Sequence, residues 1–330
     1  MNVAVLHAAG YAGRELIGLL SRHPNLTLSA VTSRTFAGEP VSVAHPELTG
    51  RADLAFTTND QVDPSSLDAI VVAAEHGQAA AVIAGLIDGG YEGVIVDLSA
   101  DFRFKDAALY PTWFGREHPR PELLAAFTYG LVDVHAPYEA GTKWIANPGC
   151  FATGLSLALY PLGQLLGTFD AHVTALTGAS GSGTRPKAGT HFPTREGNVR
   201  AYKVLAHQHL PEVQAVAGSG VRIHFVPVSG PWTRGIWGTV QVDLPAGVAP
   251  ENLADAFQTV YANAPSVRLW PGQLPELRWS VRTPYCDLGW IVRDGHAVIG
   301  FGLDNLLKGA ASQAVQNVNL ALGLPVMAGM

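Results

Sequence analysis

The first 150 residues alternate between short apolar runs and longer amphipathic stretches. Buried strands are predicted by four apolar runs, at 2–6, 26–34, 67–77 and 94–102. Helices are predicted by two amphipathic stretches, at 13–22 and 78–88. Strands that alternate with helices are typical of a parallel, doubly wound sheet. We therefore predict an α/β domain of this kind over residues 1–149.

After residue 150 the pattern changes to longer strands of alternating polarity. Three of them read HVTALTGAS (172–180), RIHFVPVSG (222–230) and TRGIWGTVQVDL (233–244). Few helices separate them, which favours an α+β domain with an antiparallel sheet over residues 150–304. A helix is expected at 250–263, and another at 305–322 that begins with a cap at Asp304 or Asn305. We expect the C-terminal segment 305–330 to complete the first domain.

Composition narrows the class of protein. Of 330 residues, 48% are hydrophobic and 15% charged, which excludes a disordered chain, and the net charge of -6 shows no basic cluster for nucleic acid or an acidic membrane. No window approaches 18 consecutive apolar residues, and the N-terminus lacks the pattern of a signal peptide. Two cysteines cannot form a disulfide framework. We expect a cytoplasmic protein that acts on small molecules.

The segment after the first predicted strand, His7–Gly13, is a candidate phosphate-binding turn. A Rossmann domain cradles a pyrophosphate on the N–H groups of the helix that follows such a turn. Only Gly10 and Gly13 of the usual three glycines are present, and His7 stands where a small residue is expected. An ordinary βα turn is the alternative interpretation.

The end of the second strand favours NADP over NAD. An NAD site usually places Asp or Glu there for the ribose hydroxyls, whereas this chain has Thr32, Ser33 and Arg34. A guanidinium matches phosphate oxygens, although Arg34 could also be a solvated strand-end residue. The candidate cofactor-binding residues in these two segments are Gly10, Tyr11, Ala12, Gly13, Ser33 and Arg34.

Cys150 lies in the segment ANPGCFATGL, where a turn gives way to a helix-forming run. Pro148 favours a turn, and we expect Gly149 to adopt an unusual φ. A helix that begins near Phe151 would direct N–H groups and its positive end at the sulfur, lowering the thiol pKa and making it a nucleophile. A buried, inert cysteine is the alternative.

A nucleophile needs a partner that handles protons, and AHQHLPE (206–212) is the densest candidate. On a strand His207 and His209 would share one face, so either could serve. An ordinary surface pair is the alternative, and we expect no metal because no further ligands lie at a suggestive spacing.

Three segments that follow strands offer groups for an anion. Arg103 ends the sequence ADFR, the Gly/Ser loop at 178–183 presents successive N–H groups, and Arg234 lies in TRG. A flexible surface hairpin is the alternative for the loop.

Taken together, these residues resemble a known family. NPGC at 147–150, SGSG at 180–183, HQHLPE at 207–212 and NLLKGAA at 305–311 are similar to N-acetyl-gamma-glutamyl-phosphate reductases along the whole chain. This resemblance implies a fold like that of the aspartate-semialdehyde and glyceraldehyde-phosphate dehydrogenases. It also implies that Cys150 forms a thioester with the acyl phosphate, that NADPH reduces it, and that His207 or His209 carries the proton.

The resemblance also implies roles for further residues. Substrate binding is implied for Arg103, Ser180, Gly181, Arg234 and Glu212, and a place near the nicotinamide for Asn305. Relatives are generally homodimers or homotetramers, so we expect a homo-oligomer.

The substrate has two candidates at this stage. The segment 184–206 looks closer to lysine-pathway reductases, whose phosphorylated aminoadipate is attached to a small acidic carrier protein. It contains five cations that could attract such a partner: Arg185, Lys187, Arg195, Arg200 and Lys203. NPGC and SGSG favour the free acetylated substrate of arginine biosynthesis. A hypothesis from another class is an NADP-binding regulatory protein without the chemistry, an interpretation that His7 invites.

Overall fold

A computed structural model describes all 330 residues. The chain forms two compact units, Met1–Pro148 with Ala310–Met330, and Gly149–Gly309. No helix is at once long enough and apolar enough to span a bilayer.

The first unit is built on a seven-stranded sheet in which all neighbouring strands are parallel. Its strands are β1 (Asn2–Leu6), β2 (Thr27–Thr32), β3 (Phe56–Thr57), β4 (Ala69–Val72), β5 (Val94–Asp97), β6 (Thr128–Tyr129) and β7 (Trp144–Ala146). Their order is β3-β2-β1-β4-β5-β7-β6. The chain therefore reverses direction across the sheet between β1 and β4, the place where such sheets bind ligands.

Helices of this unit follow the expected pattern, with short additional turns. They are α1 (Tyr11–Leu20), α2 (Val41–Ala44), α3 (Ala79–Asp88), α4 (Leu109–Phe114) and α5 (Val132–His135). Short 3-10 turns lie at Pro46–Leu48, Asn59–Gln61, Pro64–Ser66 and Pro121–Ala126. Helix α1 buries Leu16, Ile17 and Leu20, the apolar side of its sequence. The predicted strand at 94–102 is shorter than expected because the chain turns after Asp97.

The second unit contains a mixed seven-stranded sheet. Its strands are β8 (Phe169–Thr177), β9 (Arg200–Ala201), β10 (Val221–Ser229), β11 (Ile236–Asp243), β12 (Val267–Pro271), β13 (Cys286–Arg293) and β14 (His296–Leu303). Their order is β12-β13-β14-β11-β8-β10-β9. Most pairs are antiparallel as predicted, but β8 pairs with β10 and β12 with β13 in parallel. The connection from β8 to β10 is long enough for the crossover that a parallel pair needs.

The second unit contains five helices. They are α6 (Cys150–Leu166), α7 (Phe192–Arg195), α8 (Leu210–Ala217), α9 (Pro250–Tyr261) and α10 (Leu277–Ser280), with 3-10 turns at Ala179–Ser182 and Ala188–Thr190. Helix α6 packs against β11, β14, α8 and α9, and most of its 17 residues are buried. A Cβ at Gly154 would lie 2.7 Å from the Phe301 ring, so a glycine is needed where α6 crosses β14.

The predicted helix at 305–322 is instead two elements. Leu307–Ala311 forms a π-helical turn, and α11 spans Ser312–Ala321. The buried carboxylate of Asp304 accepts the N–H groups of Leu306 and Leu307 at 2.8 and 3.1 Å, and its carbonyl accepts the N–H of Gly309 at 2.9 Å. These bonds wind the turn more widely than an α-helix.

Candidate active site

Cys150 is the first residue of α6 and remains partly exposed, while Phe151 and Ala152 after it are buried. Gly149, the N-cap, has an ordinary extended φ of -70° rather than the unusual φ that we expected. The carboxylate of Glu212 accepts the Gly149 N–H at 3.0 Å and so anchors the start of the helix. This partly exposed cysteine thus lies at the end of the helix that favours a thiolate.

The histidine pair does not lie on a strand, contrary to the prediction. Both residues are in the turn before α8, and the Nδ1 of His207 accepts the backbone N–H of His209 at 3.2 Å. The His207 ring packs edge-on against Phe151 and Phe225, with centroids 5.3 and 5.6 Å apart. Burial, and then the nearby charges of His209 and Lys203, lowers the pKa of His207 to about 2. His207 is therefore uncharged at neutral pH.

Tyr202 joins this cluster, although nothing in the sequence distinguished it. Its ring centroid lies 5.8 Å from that of His207. Burial, followed by the charge of Cys150, raises the pKa of Tyr202, while Arg195 opposes that rise. The phenol therefore stays protonated and lies within electrostatic reach of both the sulfur and a guanidinium.

Gly309, in the π-helical turn, is a second residue that the sequence analysis missed. A Cβ built on it would lie 2.8 Å from the Cβ of Cys150 and 3.1 Å from a methyl of Leu303. Such close approach excludes any side chain at this position. The π-helical turn therefore packs directly against Cys150, the candidate nucleophile.

Asn305 and Asp304 connect the segments expected to bind an anion. The Asn305 amide donates to the Ser180 hydroxyl at 3.0 Å and accepts the Gly235 N–H at 2.7 Å. Asp304, which is fully buried, accepts the Nε of Arg234 at 2.5 Å. Ser180 and Arg234 are thereby brought together. The expected contact of Asn305 with the nicotinamide stays a prediction.

The other expected substrate residues lie as follows. Glu212 anchors Gly149, as described above, and a Cβ built on Gly181 would lie 3.6 Å from the Thr177 hydroxyl. The expectation that the loop at 178–183 presents successive N–H groups to an anion is wrong, because most of them donate to backbone carbonyls: those of Gly178, Ala179, Ser180, Gly181 and Gly183. In the first unit, the buried Arg103 donates from Nε to the carbonyl of Asn147 and from Nη2 to that of Leu98, both at 2.8 Å. Its guanidinium orientation is therefore set by backbone atoms.

The five cations of segment 184–206 do not form one exposed surface. Arg185, Lys187, Arg200 and Lys203 are exposed, but Arg195 is only 8% exposed. The expectation that Arg195 helps to attract an acidic partner is wrong, because its side chain is buried and donates to the carbonyl of Thr177.

In the first unit, His7 occupies the turn after β1 with a left-handed φ of 59°. Glycine adopts this φ without strain, which explains why a small residue is expected here. The His7 N–H donates to the Thr32 hydroxyl at 2.9 Å, and its ring accepts the Asn59 amide at 3.1 Å. Burial, then the charge of Arg34, lowers the pKa of His7, so the ring adds no charge at neutral pH.

The turn itself fits a dinucleotide. A Cβ at Gly13 would lie 2.2 Å from the carbonyl oxygen of Ala8, so only glycine lets α1 approach β1 this closely. Gly10 is the N-cap of α1 without a side-chain cap, and no atom lies within 4 Å of where its Cβ would be. The first N–H groups of the helix are thus open to a pyrophosphate. The exposed Arg34 follows Ser33 at the end of β2, in position for a ribose phosphate.

The fold and this pair of sites define an NAD(P)-dependent oxidoreductase of the semialdehyde dehydrogenase class. Residues 2–140 match the family description "Semialdehyde dehydrogenase, NAD binding domain" and residues 150–305 match "Semialdehyde dehydrogenase, dimerisation domain". The chain belongs to the semialdehyde dehydrogenase family.

Two curated relatives carry names that correspond to the two substrate candidates of the sequence analysis. The N-acetyl-gamma-glutamyl-phosphate reductase of Pelotomaculum thermopropionicum is 38% identical over 100% of this chain and 97% of its own length. The [LysW]-L-2-aminoadipate 6-phosphate reductase of Deinococcus radiodurans is 37% identical over 100% of this chain and 96% of its own. The resemblance stated from the motifs is confirmed.

Solved structures confirm the predicted fold class. Aspartate semialdehyde dehydrogenase II of Vibrio cholerae superposes with a TM-score of 0.75 at 17% identity, covering 98% of both chains. The aspartate semialdehyde dehydrogenase of Candida albicans, solved with NADP, superposes with a TM-score of 0.70 at 15% identity and also covers 98% of both chains.

Proposed function

We propose that the protein is an NADPH-dependent acyl-phosphate reductase that converts N-acetyl-gamma-glutamyl phosphate to N-acetylglutamate semialdehyde and phosphate, a step of arginine biosynthesis. The observation that carries this proposal is Cys150, a partly exposed cysteine at the start of a buried helix, whose next residue, Phe151, packs against His207 and His209. The curated relatives with that name support the choice of substrate.

Cys150 attacks the acyl carbon, the bond from that carbon to the phosphate oxygen breaks, and phosphate leaves a thioester on the sulfur. NADPH, when bound, supplies the hydride that reduces this thioester. The resulting hemithioacetal loses the carbon–sulfur bond, which releases the aldehyde and restores the thiolate. The guanidinium of Arg234, which Asp304 holds in place, stabilises negative charge on the substrate.

We assign the proton to His209. His207 cannot carry a proton at neutral pH, because its pKa is about 2, and its Nδ1 accepts the backbone N–H of His209. A ring that accepts at Nδ1 holds its proton on Nε2 when neutral. In this proposal His207 fixes the backbone of His209, which protonates the hemithioacetal oxygen and takes the proton back as the aldehyde forms.

For the cofactor, we propose that the first unit holds NADPH. The N–H groups of Gly10, Tyr11, Ala12 and Gly13 would face the pyrophosphate, and Ser33 with Arg34 would hold the 2′-phosphate. A groove lined by Leu6, Val62, Ile70, Val82 and Leu86 is apolar enough for the adenine ring.

The reverse reaction tests this function. The protein is mixed with N-acetylglutamate semialdehyde, NADP and phosphate, and NADPH is followed by its absorbance. Phosphate-dependent NADP reduction is expected, and Cys150→Ser abolishes it while NADPH binding, measured by fluorescence, is retained. An NADP-binding regulatory protein would bind the cofactor and show no reduction in either form.

A carrier-linked substrate is the second candidate, because one exposed segment suits an acidic partner. Arg185, Lys187, Arg200 and Lys203 are exposed there, and Phe192 is 75% exposed. The Deinococcus relative named for a LysW-linked substrate favours the same reading. Turnover on the free and carrier-linked substrates is compared for wild type and Lys187→Glu. If the carrier is used, this variant loses turnover on the linked substrate alone.

We also propose a homodimer or homotetramer assembled through the second unit. One face of its sheet carries the exposed His172, Thr174 and Gln241 and is not covered by the α6, α8 and α9 layer. The match of residues 150–305 to a dimerisation domain supports this. Sedimentation equilibrium of wild type and Thr174→Arg tests it, with a shift toward monomer expected for the variant.

A further inference from the structure

Arg195 is a buried cation without an acidic partner. Only 8% of the residue is exposed, and its Nη2 donates to the backbone carbonyl of Thr177 at 3.1 Å. Its Nε is buried with no hydrogen-bond partner. Burial, together with the charge of Arg200, lowers its pKa, whereas Tyr202 opposes that effect. Burying an uncompensated charge costs several kcal/mol, on the order of what a ligand anion would recover.

Thr177, at the end of β8, supplies a second unsatisfied group at the same place. Its hydroxyl is buried and has no hydrogen-bond partner. A Cβ built on Gly181 would lie 3.6 Å from this hydroxyl and 3.9 Å from the Asn305 amide nitrogen. The hydroxyl therefore faces the loop at 178–183. Thr177 thus carries one unsatisfied donor, and the side chain that binds its carbonyl carries another.

Strand pairing connects this place with the proposed nucleophile. Thr177 pairs with Ser229 of β10, which pairs with Arg200 of β9, two residues before Tyr202. The Tyr202 ring centroid lies 5.8 Å from that of His207, and the His207 ring packs against Phe151, the residue after Cys150. Arg195 and Cys150 therefore border one cluster of neighbouring side chains. The burial of Arg195 also separates it from the exposed cations that would meet a protein partner.

We propose that Arg195 and Thr177 form a subsite for the free carboxylate of the substrate, an inference that rests on the proposed function. The guanidinium can donate two parallel hydrogen bonds to the two oxygens of a carboxylate, and the Thr177 hydroxyl can donate a third. A single buried positive charge is balanced by a carboxylate, whereas a phosphate dianion would leave net negative charge in the interior. An N-acylated glutamyl phosphate carries such a carboxylate at the opposite end of its short carbon chain from the reacting acyl group, so binding it positions the acyl carbon.

A binding assay without turnover tests the subsite. N-acetyl-L-glutamate and, separately, inorganic phosphate are added to wild type, Arg195→Met, Thr177→Val and the control Arg278→Gln, and thermal unfolding is recorded. Arg278 is a 78% exposed arginine of the same unit that pairs with Glu276. N-acetylglutamate is expected to raise the unfolding temperature of wild type and of the control. In both subsite variants most of this increase is expected to be lost, while the shift caused by phosphate stays the same as in wild type.

The reverse reaction gives the second measurement. Arg195→Met is expected to raise the KM for the semialdehyde about 100-fold, with the KM for phosphate within about threefold of wild type, since losing one buried charge contact costs a few kcal/mol. Thr177→Val retains the strand and the carbonyl that Arg195 contacts, so it reports on the subsite even if Arg195→Met unfolds.

Three outcomes overturn the proposal: an unchanged KM for the semialdehyde in both variants, an unchanged N-acetylglutamate shift, or a loss confined to phosphate. An inactive wild type would overturn the proposed function instead, and the shift with N-acetylglutamate would still report on the subsite.

Discussion

Gly309 gives the sharpest test of how Cys150, the proposed nucleophile, is positioned. In Gly309→Ala the added Cβ would lie 2.8 Å from the Cβ of Cys150 and 3.2 Å from its Cα. Carbon atoms in ordinary contact lie about 3.5–4.0 Å apart, so one side must move by about 1 Å. Cys150 is held by a buried helix whose first turn is anchored through Glu212, and the π-helical turn is held by Asp304.

Either movement changes the geometry of the sulfur. A misplacement of about 1 Å at a reacting group costs roughly 100-fold in rate, and overpacking costs about 1–3 kcal/mol of stability. We therefore expect kcat/KM of Gly309→Ala to fall by about 100-fold, with NADPH binding unchanged. Reverse-reaction kinetics, thermal unfolding and the rate of alkylation by iodoacetamide measure this. Alkylation of wild type is expected at Cys150 well before the fully buried Cys286.

Gly18→Ala is the matched control. Its Cβ would be 3.5 Å from a methyl of Leu48, an ordinary contact, and the site is inside α1. This variant is expected to retain full activity and to gain up to about 1 kcal/mol of stability. The reasoning is refuted if Gly309→Ala keeps kcat/KM within threefold of wild type while remaining folded.

Three further predictions concern the same site. His209→Asn is expected to lower kcat at least 100-fold, whereas His207→Asn, whose side-chain oxygen still accepts the His209 N–H, is expected to lose less than tenfold; the opposite order would reassign the proton. Because the pKa of His207 falls from 6.5 to about 2 on folding, the unfolded chain binds more protons and stability declines below pH 6.5. Between pH 6.5 and 4.5 wild type is expected to lose about 2.3 kcal/mol more stability than His207→Asn, measured by urea unfolding, and equal losses would contradict this. Asp304→Asn is expected to raise the KM for an anionic substrate, with no added effect once Arg234 is replaced by Gln; additive effects in this double-mutant cycle would exclude positioning of Arg234 by Asp304.

Several features of the fold followed from the sequence alone. The alternation of apolar runs and amphipathic stretches predicted the parallel sheet, since burial on both faces leaves a local mark on each strand. The turn at Gly10 and Gly13 and a helix that begins near Phe151 were also predicted locally, because turn and cap residues act on neighbouring backbone.

The properties of charged groups were decided by the tertiary structure. His207 is neutral because Phe225, from a distant strand, and Phe151 remove it from water, and Arg195 is buried because α7 turns it toward β8. Gly309 contacts Cys150 across 159 positions of sequence only because a π-helical turn places it there. Periodicity records which face of a segment is buried, but solvation and charge depend on residues that only folding brings together.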